Sequence, residues 1–137
     1  MADFEIAYRI TKKFEGGYTA DPDDNGNWTG GKKGVGICAG TNWGITAGLY
    51  AGFIKRTPTA ADMKDMPEET AKKIYRANYW NPIRGDEIID QEAANKLYDA
   101  GVNMGVGTAI ILAKRGLAIN ENTHMDDHFL NQLNNVS

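Results

Sequence analysis

Two acidic residues near the N-terminus, Glu15 and Asp24, have the side chains that acid–base cleavage of a glycosidic bond requires. That reaction normally uses one protonated carboxyl group as the acid and one ionised carboxylate. Glu15 precedes Gly16 and Gly17 and is therefore expected at a helix end, where the helix dipole raises a carboxyl pKa. Asp24 follows on a polar turn, where water would keep it ionised. By spacing alone, the pair more often represents an exposed helix end and a solvated turn.

The elements that must position these carboxyl groups are a helix and a glycine-rich segment. The helical spacing of the apolar residues predicts an amphipathic helix from Asp3 to Glu15, with Asp3 as its N-cap. Half of the 16 glycines lie between Gly26 and Gly48, a composition typical of turns and short strands. The sequence therefore predicts a small glycine-rich β lobe after the first helix.

The rest of the chain is predicted to be helical. Caps, apolar periodicity and stop signals give five further helices: Thr59 to Met63, Glu68 to Tyr79, Asp90 to about Gly101, Thr108 to Arg115 and Asp126 to Leu133. Asn81-Pro82 is expected to end the second of these, because a residue before proline avoids the helical region. We therefore expect a mostly α fold of about six helices in a single domain, residues 1–137.

Composition excludes several functional classes. The net charge of −3 gives no reason to expect nucleic acid as a partner, and no apolar run approaches the ~20 residues of a membrane helix. A single cysteine, Cys38, rules out an internal disulfide and is expected to be a small buried residue. The N-terminus lacks a secretory signal, so we expect synthesis in the cytoplasm without a visible signal peptide.

Three competing motifs are incomplete. Asp21 to Gly26 begins like a calcium loop, but Lys32 occupies the position of the essential glutamate. Gly26 to Lys32 imitates a phosphate-binding loop, yet Lys33 replaces the serine or threonine that would hold magnesium. The residues His124 and His128 have no evident third ligand. We therefore expect no metal and no organic cofactor.

Three segments together resemble the signature of glycoside hydrolase family 108: Glu15–Tyr18 (EGGY), Asp21–Asp24 (DPDD) and Thr41–Thr46 (TNWGIT). Further matches are Tyr79-Trp80 and the Asp99 to Gly105 segment, so the resemblance covers nearly the whole chain. Members of that family are lysozyme-like N-acetylmuramidases, also described as secretion activators. The resemblance implies a lysozyme-like α+β fold that acts on peptidoglycan glycan strands at the cell wall or in the periplasm.

The resemblance also implies roles for individual residues. Glu15 matches the catalytic acid of the family motif. The order of Glu, Asp and Thr is similar to that of phage-type lysozymes, which implies that Asp24 positions the attacking water with help from Thr41. Tyr18 and Trp43 flank these motifs and are predicted to bind substrate, as is Asn42 beside Thr41.

One departure from the family pattern is the segment 27–40, which separates the acidic turn from the threonine motif. We expect this insertion to extend a β-hairpin along the cleft. It also leaves open whether Thr29 or Thr41 corresponds to the family threonine.

The sequence thus predicts an enzyme that cleaves between N-acetylmuramic acid and N-acetylglucosamine. Two alternatives remain open at this stage. A lytic transglycosylase would need only one acid/base glutamate, and a non-catalytic protein could keep the fold to bind peptidoglycan or assist secretion. The C-terminal part, about residues 104–137, resembles a small peptidoglycan-binding region of family members. The oligomeric state cannot be predicted from these patterns.

Overall fold

The computed structural model describes residues 1–12 and 17–135 of the chain. The described part is mostly α-helical, with seven α-helices: α1 (Phe4–Thr11), α2 (Ala47–Ile54), α3 (Ala60–Lys64), α4 (Glu68–Tyr75), α5 (Gln91–Met104), α6 (Val106–Gly116) and α7 (Asp127–Asn135). Two short strands, β1 (Thr41–Asn42) and β2 (Ile45–Thr46), form one antiparallel sheet. The predicted mostly α fold with a small β element is confirmed.

The chain divides into two compact units. One contains residues 1–12 and 75–135, and the other contains residues 17–74. All predicted site residues that the structure describes belong to the second unit.

The core of the first unit is aromatic. Phe4 on α1 packs edge-on against Trp80 and Tyr98, with ring centroids 5.7 and 5.8 Å apart. Edge-to-face packing of this kind stabilises aromatic pairs beyond the area they bury. Trp80 is fully buried. Gly85 is required beside it, because a Cβ atom there would lie 2.2 Å from the indole ring.

The first helix is shorter than predicted. Asp3 caps α1 as expected, with its carboxylate accepting from the Glu5 N–H at 2.8 Å. The helix ends at Thr11, and Lys12 is extended. At this last residue of α1, the Thr11 hydroxyl donates to Asp99 on α5 at 2.9 Å. Glu15 lies outside the described residues.

The prediction for Asn81-Pro82 is wrong. After α4 the chain continues through a π-helical turn, Arg76–Trp80, into a 3-10 turn, Asn81–Ile83. Asn81 adopts the right-handed helical region although it precedes proline. Pro82 lies in the first turn of the 3-10 segment, where a missing N–H costs no hydrogen bond.

A helix in the second unit is absent from the sequence-based prediction. α2 follows directly on β2, and the Thr46 hydroxyl caps it by accepting from the Leu49 N–H at 3.2 Å. α3 follows Thr59 as predicted, and Thr59 and Asp62 form a reciprocal capping box at its start.

Candidate active site

The acidic turn is built by its own aspartates. The Asp21 carboxylate accepts from the Asp23 N–H at 2.9 Å, and the Asp24 carboxylate accepts from the Gly26 N–H at 3.0 Å. Such side-chain-to-backbone bonds stabilise tight turns. Asp24 is exposed to solvent and starts the 3-10 turn Asn25–Asn27. It is therefore a solvated and hydrogen-bonded carboxylate, the environment that the sequence predicts for it.

Thr41 lies on β1 and is tied to the acidic turn through one buried side chain. Its hydroxyl donates to Asn27 Oδ1 at 2.6 Å, and Asn27 Nδ2 donates to the Asp21 carbonyl oxygen at 2.9 Å. The Asn27 N–H also donates to the Asp24 carbonyl oxygen at 3.1 Å. Asn27 thus connects the segments that carry the two predicted water-positioning residues, Asp24 and Thr41.

Tyr18 is held against the backbone of the same unit. Its hydroxyl donates to the Ala39 carbonyl oxygen at 2.6 Å, and Lys64 Nζ lies 5.3 Å from the ring centroid. Burial, with a smaller contribution from the Cys38 thiol, raises the pKa of Tyr18, so the phenol stays protonated and remains a donor. The close approach depends on Gly40, because a Cβ atom there would lie 2.5 Å from the tyrosine ring.

Trp43 occupies the turn of the β1–β2 hairpin in a left-handed conformation, with φ of +54°. Gly44 follows with φ of +74°, and two such residues in sequence form the tight turn that suits a short hairpin. The indole N–H donates to the Met66 carbonyl oxygen at 2.7 Å. This bond helps to hold a bulky residue in a conformation that usually costs ~1–3 kcal/mol.

Asn42 is buried beside Trp43. Its amide donates to the carbonyl oxygens of Met63 and Lys64 at 2.8 and 3.2 Å, which ties β1 to the end of α3. Both amide hydrogens are therefore engaged with the backbone. The predicted substrate-binding roles of Asn42, Trp43 and Tyr18 stay predictions.

The insertion of residues 27–40 folds back on itself as a hairpin-like loop. Trp28 and Cys38 form an antiparallel bridge, and the Thr29 N–H donates to the Ile37 carbonyl oxygen at 2.9 Å. Cys38 is half-buried, which is less than the sequence predicts. The loop pairs with itself through one isolated bridge and has no regular strands, so the predicted β-hairpin is present only in part. Its position along a cleft stays a prediction.

The loop is fastened to the acidic turn by polar bonds. Lys33 Nζ forms an ion pair with Asp23 at 2.6 Å, and the Lys33 N–H donates to Asn25 Oδ1 at 2.8 Å. The Trp28 indole donates to the Pro22 carbonyl oxygen at 2.8 Å. The insertion therefore supports the turn that carries Asp24.

Of the six predicted site residues, the structure brings Asp24 and Thr41 into one hydrogen-bonded network. Tyr18 belongs to the segment that pairs with β1, because Thr19 and Thr41 exchange two backbone hydrogen bonds of 2.9 and 2.8 Å. Asn42 and Trp43 face the α3 segment instead. Sequence reasoning missed Asn27, since an asparagine in a glycine-rich turn is typically a turn former.

Two other features are absent from residues 1–12 and 17–135, namely a metal-binding cluster and a membrane-spanning helix. No three His, Cys, Asp or Glu side chains there lie close enough together to hold a metal ion. None of the helices in this part of the chain has the length and apolar character to cross a bilayer.

Comparison with known proteins identifies the family. The solved structure of SagA from Brucella abortus superposes with a TM-score of 0.74 at 24% sequence identity, covering 98% of this chain and 70% of that chain. This similarity shows the fold. No curated protein matches the chain significantly.

The family model of glycosyl hydrolase 108 matches residues 8–105, a range that includes all six predicted site residues. The match covers well over half of the chain. The protein therefore belongs to glycosyl hydrolase family 108 and is, in general terms, a lysozyme-like peptidoglycan hydrolase.

Proposed function

We propose that the chain is an N-acetylmuramidase that cleaves the bond between N-acetylmuramic acid and N-acetylglucosamine in peptidoglycan. The observation that carries the proposal is the buried link from the exposed Asp24 turn through Asn27 to Thr41, inside the family-matched range. It joins the backbone of the turn that carries the Asp24 carboxylate to the Thr41 hydroxyl. A carboxylate and a hydroxyl are the groups that we propose for binding and activating the water.

In this mechanism Glu15, the first residue of the EGGY motif, donates a proton to the glycosidic oxygen as the bond to the anomeric carbon breaks. Asp24 accepts a proton from a water molecule, whose oxygen forms the new bond to the anomeric carbon. Attack by water from the opposite face of the ring inverts the anomeric configuration. We propose that the protein hydrolyses peptidoglycan at the cell wall or in the periplasm.

The test compares wild type with Glu15→Gln on purified peptidoglycan. New reducing ends are counted and the products are identified by mass spectrometry. Loss of a general acid lowers the rate by about 10²–10⁴-fold. The matched control is Glu92→Gln, because Glu92 is an exposed residue in the first turn of α5 whose partner is Lys96.

Three results would contradict the proposal in different ways. Equal losses in Glu15→Gln and Glu92→Gln would remove Glu15 from the chemistry. Anhydro-muropeptides without reducing muramic acid ends would identify a lytic transglycosylase. Binding to the wall without release of any product by wild type would identify a non-catalytic binding protein.

A further inference from the structure

Asn27 is the most buried polar residue of the acidic turn and the centre of its hydrogen bonds. It is 1% exposed. Its backbone N–H donates to the Asp24 carbonyl oxygen at 3.1 Å, and its carbonyl oxygen accepts from the Gly40 N–H at 2.9 Å. Its side chain bonds to the Asp21 carbonyl oxygen and to the Thr41 hydroxyl. The residue therefore joins both ends of the insertion to β1.

The partners of Asn27 determine which way its amide faces. A backbone carbonyl oxygen can only accept, so the side of the amide that faces Asp21 must be the NH₂ group. The opposite side, which faces Thr41, must be Oδ1. Since this oxygen can only accept, the single hydroxyl proton of Thr41 points to Asn27.

This orientation determines whether the Thr41 hydroxyl donates or accepts a hydrogen bond with any third partner. A hydroxyl whose single proton is already donated can only accept further hydrogen bonds, through its lone pairs. A water beside Thr41 must therefore donate to it. The backbone carbonyl of Asp21 thus sets the polarity of the Thr41 hydroxyl through Asn27.

An attacking water benefits from this polarity. Its oxygen lone pair must face the anomeric carbon, so its two protons must face acceptors. The Asp24 carboxylate accepts the proton that leaves, and Thr41 Oγ1 accepts the hydrogen bond of the proton that stays on the product hydroxyl. With both protons directed away from the sugar, the lone pair faces the carbon that it attacks.

We propose that Asn27 is a positioning residue that turns Thr41 into a hydrogen-bond acceptor for the attacking water. This inference rests on the proposed function and adds to it a residue that neither touches substrate nor belongs to the EGGY, DPDD or TNWGIT segments. Asn27 acts through Thr41, so its contribution to the rate exists only while Thr41 carries a hydroxyl.

The test is a double-mutant cycle with Asn27→Ala, Thr41→Val and the double variant, measured as kcat and KM on soluble glycan fragments. Thr41→Val is expected to lower kcat by about 10- to 100-fold, because the water loses one of its two acceptors. Asn27→Ala is expected to lower kcat by about tenfold or more, with KM within about threefold of wild type. Thr41→Ser keeps the hydroxyl and is expected to retain most of the activity.

The decisive comparison is the effect of Asn27→Ala in the two backgrounds. A positioning role predicts that Asn27→Ala lowers kcat by no more than about twofold once Thr41 is valine. A structural role alone predicts the same loss in both backgrounds, in proportion to the unfolded fraction measured by circular dichroism. If Asn27→Ala does not fold, Asn27→Ser takes its place, since serine is too short to reach both Asp21 and Thr41.

The outcomes separate this inference from the function on which it rests. If wild type is active and the effects of the two substitutions are not additive, both the proposed function and the positioning role of Asn27 are supported. Activity in wild type with an additive cycle overturns the role of Asn27 and leaves the muramidase proposal in place. Absence of product from wild type overturns the proposed function, and the positioning role of Asn27 fails with it.

Discussion

The Asp24 side chain combines a structural bond with exposure to solvent. One carboxylate oxygen accepts from the Gly26 N–H and starts the 3-10 turn. An asparagine side chain has an equivalent oxygen, so replacement of the carboxylate can preserve the turn while it removes the charge and the basicity. The catalytic and the structural contributions of Asp24 can therefore be measured separately.

Asp24→Asn is expected to lower kcat by about 10²–10⁴-fold, because an amide cannot accept a proton from water. The unfolding free energy should change little. Reducing-end release gives the rate and urea denaturation gives the stability. The control is Asp23→Asn, since Asp23 is 79% exposed and pairs with Lys33 outside the Asn27 network. A comparable loss of rate in both variants would show that the acidic turn contributes bulk charge and that Asp24 is no base.

Gly40 limits how closely Tyr18 can approach the backbone. Its φ is +101°, and a Cβ atom there would lie 2.5 Å from the Tyr18 ring and 2.6 Å from the Thr19 carbonyl oxygen. The backbone oxygen cannot move without breaking the pairing of Thr19 with Thr41. Gly34 has a similar φ of +83° but open space around it. Alanine substitutions at the two glycines can therefore distinguish the cost of steric overlap from the cost of conformational strain.

Gly40→Ala is expected to lower the unfolding free energy by about 3 kcal/mol or more, since strain and overlap both act. Gly34→Ala should cost only the strain of a left-handed alanine, about 1–2 kcal/mol. Urea denaturation of both variants gives the comparison. Equal losses would mean that both the Tyr18 ring and the Thr19 carbonyl oxygen move aside without cost.

At the level of elements, the start of α3 depends on a charged side chain. The Asp62 carboxylate accepts from the Arg56 guanidinium at 2.8 Å and from the Thr59 N–H at 2.9 Å. These bonds, with the Arg56 bond the largest cause, hold the pKa of Asp62 well below its ordinary value of 3.8. The folded state therefore stabilises the ionised form of the Asp62 side chain more than the unfolded state does.

Because the folded pKa is lowered, Asp62 stabilises the fold above about pH 4, and this contribution is lost as the pH falls through the folded pKa. Asp62→Asn is expected to be less stable than wild type at neutral pH, with a gap that narrows as the solution is acidified below about pH 4. Urea denaturation across this range measures the gap. Arg56→Gln removes the principal partner and should show the same trend. A gap that stays constant with pH would assign the effect to the neutral capping bonds.

The elements also show what the sequence could predict. Caps with their own partners nearby, such as Thr59 with Asp62, were predictable because the signal is local. α2 was missed because Gly48 and Gly52 lower helix propensity, and the structure compensates with the Thr46 cap and the burial of Ala47. Asn27 could not be predicted as a network centre, since its partners Asp21 and Thr41 meet only through tertiary folding.

For the whole molecule, the C-terminal part is integrated into the first unit. Arg84 pairs with Asp127 on α7 at 2.8 Å, and the Asn134 amide is tied to the turn before α5 by bonds to the Glu87 carbonyl oxygen and the Ile89 N–H. α6 packs against α5 and buries Ala109 and Ile110. Removal of residues 104–137 would therefore expose the core of this unit. The predicted role of this part in peptidoglycan binding requires point variants for its test.

Lys114 on α6 provides such a variant, because it is a buried cation that fastens the segment before α7. It is 2% exposed, and its ammonium donates to Asn122 Oδ1 at 2.5 Å and to the His124 carbonyl oxygen at 2.6 Å. The ammonium also lies 5.2 Å from the centroid of the Phe129 ring, a favourable cation–π distance. A buried charge with these partners stabilises one position of residues 117–126.

Lys114→Met keeps the length of the side chain but removes every donor. The His124 carbonyl oxygen loses the ammonium, Asn122 Oδ1 keeps only the His124 N–H, and the Asp126 carboxylate loses its ion pair, so the segment is released. The unfolding free energy is expected to fall by about 2–4 kcal/mol, and amide exchange should accelerate first in residues 117–126. Lys96→Met is the control, since Lys96 is 77% exposed and its ion pair with Glu92 contributes at most ~1 kcal/mol. If Lys114→Met folds but binds peptidoglycan less well while the rate on soluble fragments is kept, the C-terminal part carries wall binding. Unchanged stability and exchange would show that water replaces the ammonium and that the segment needs no internal cation.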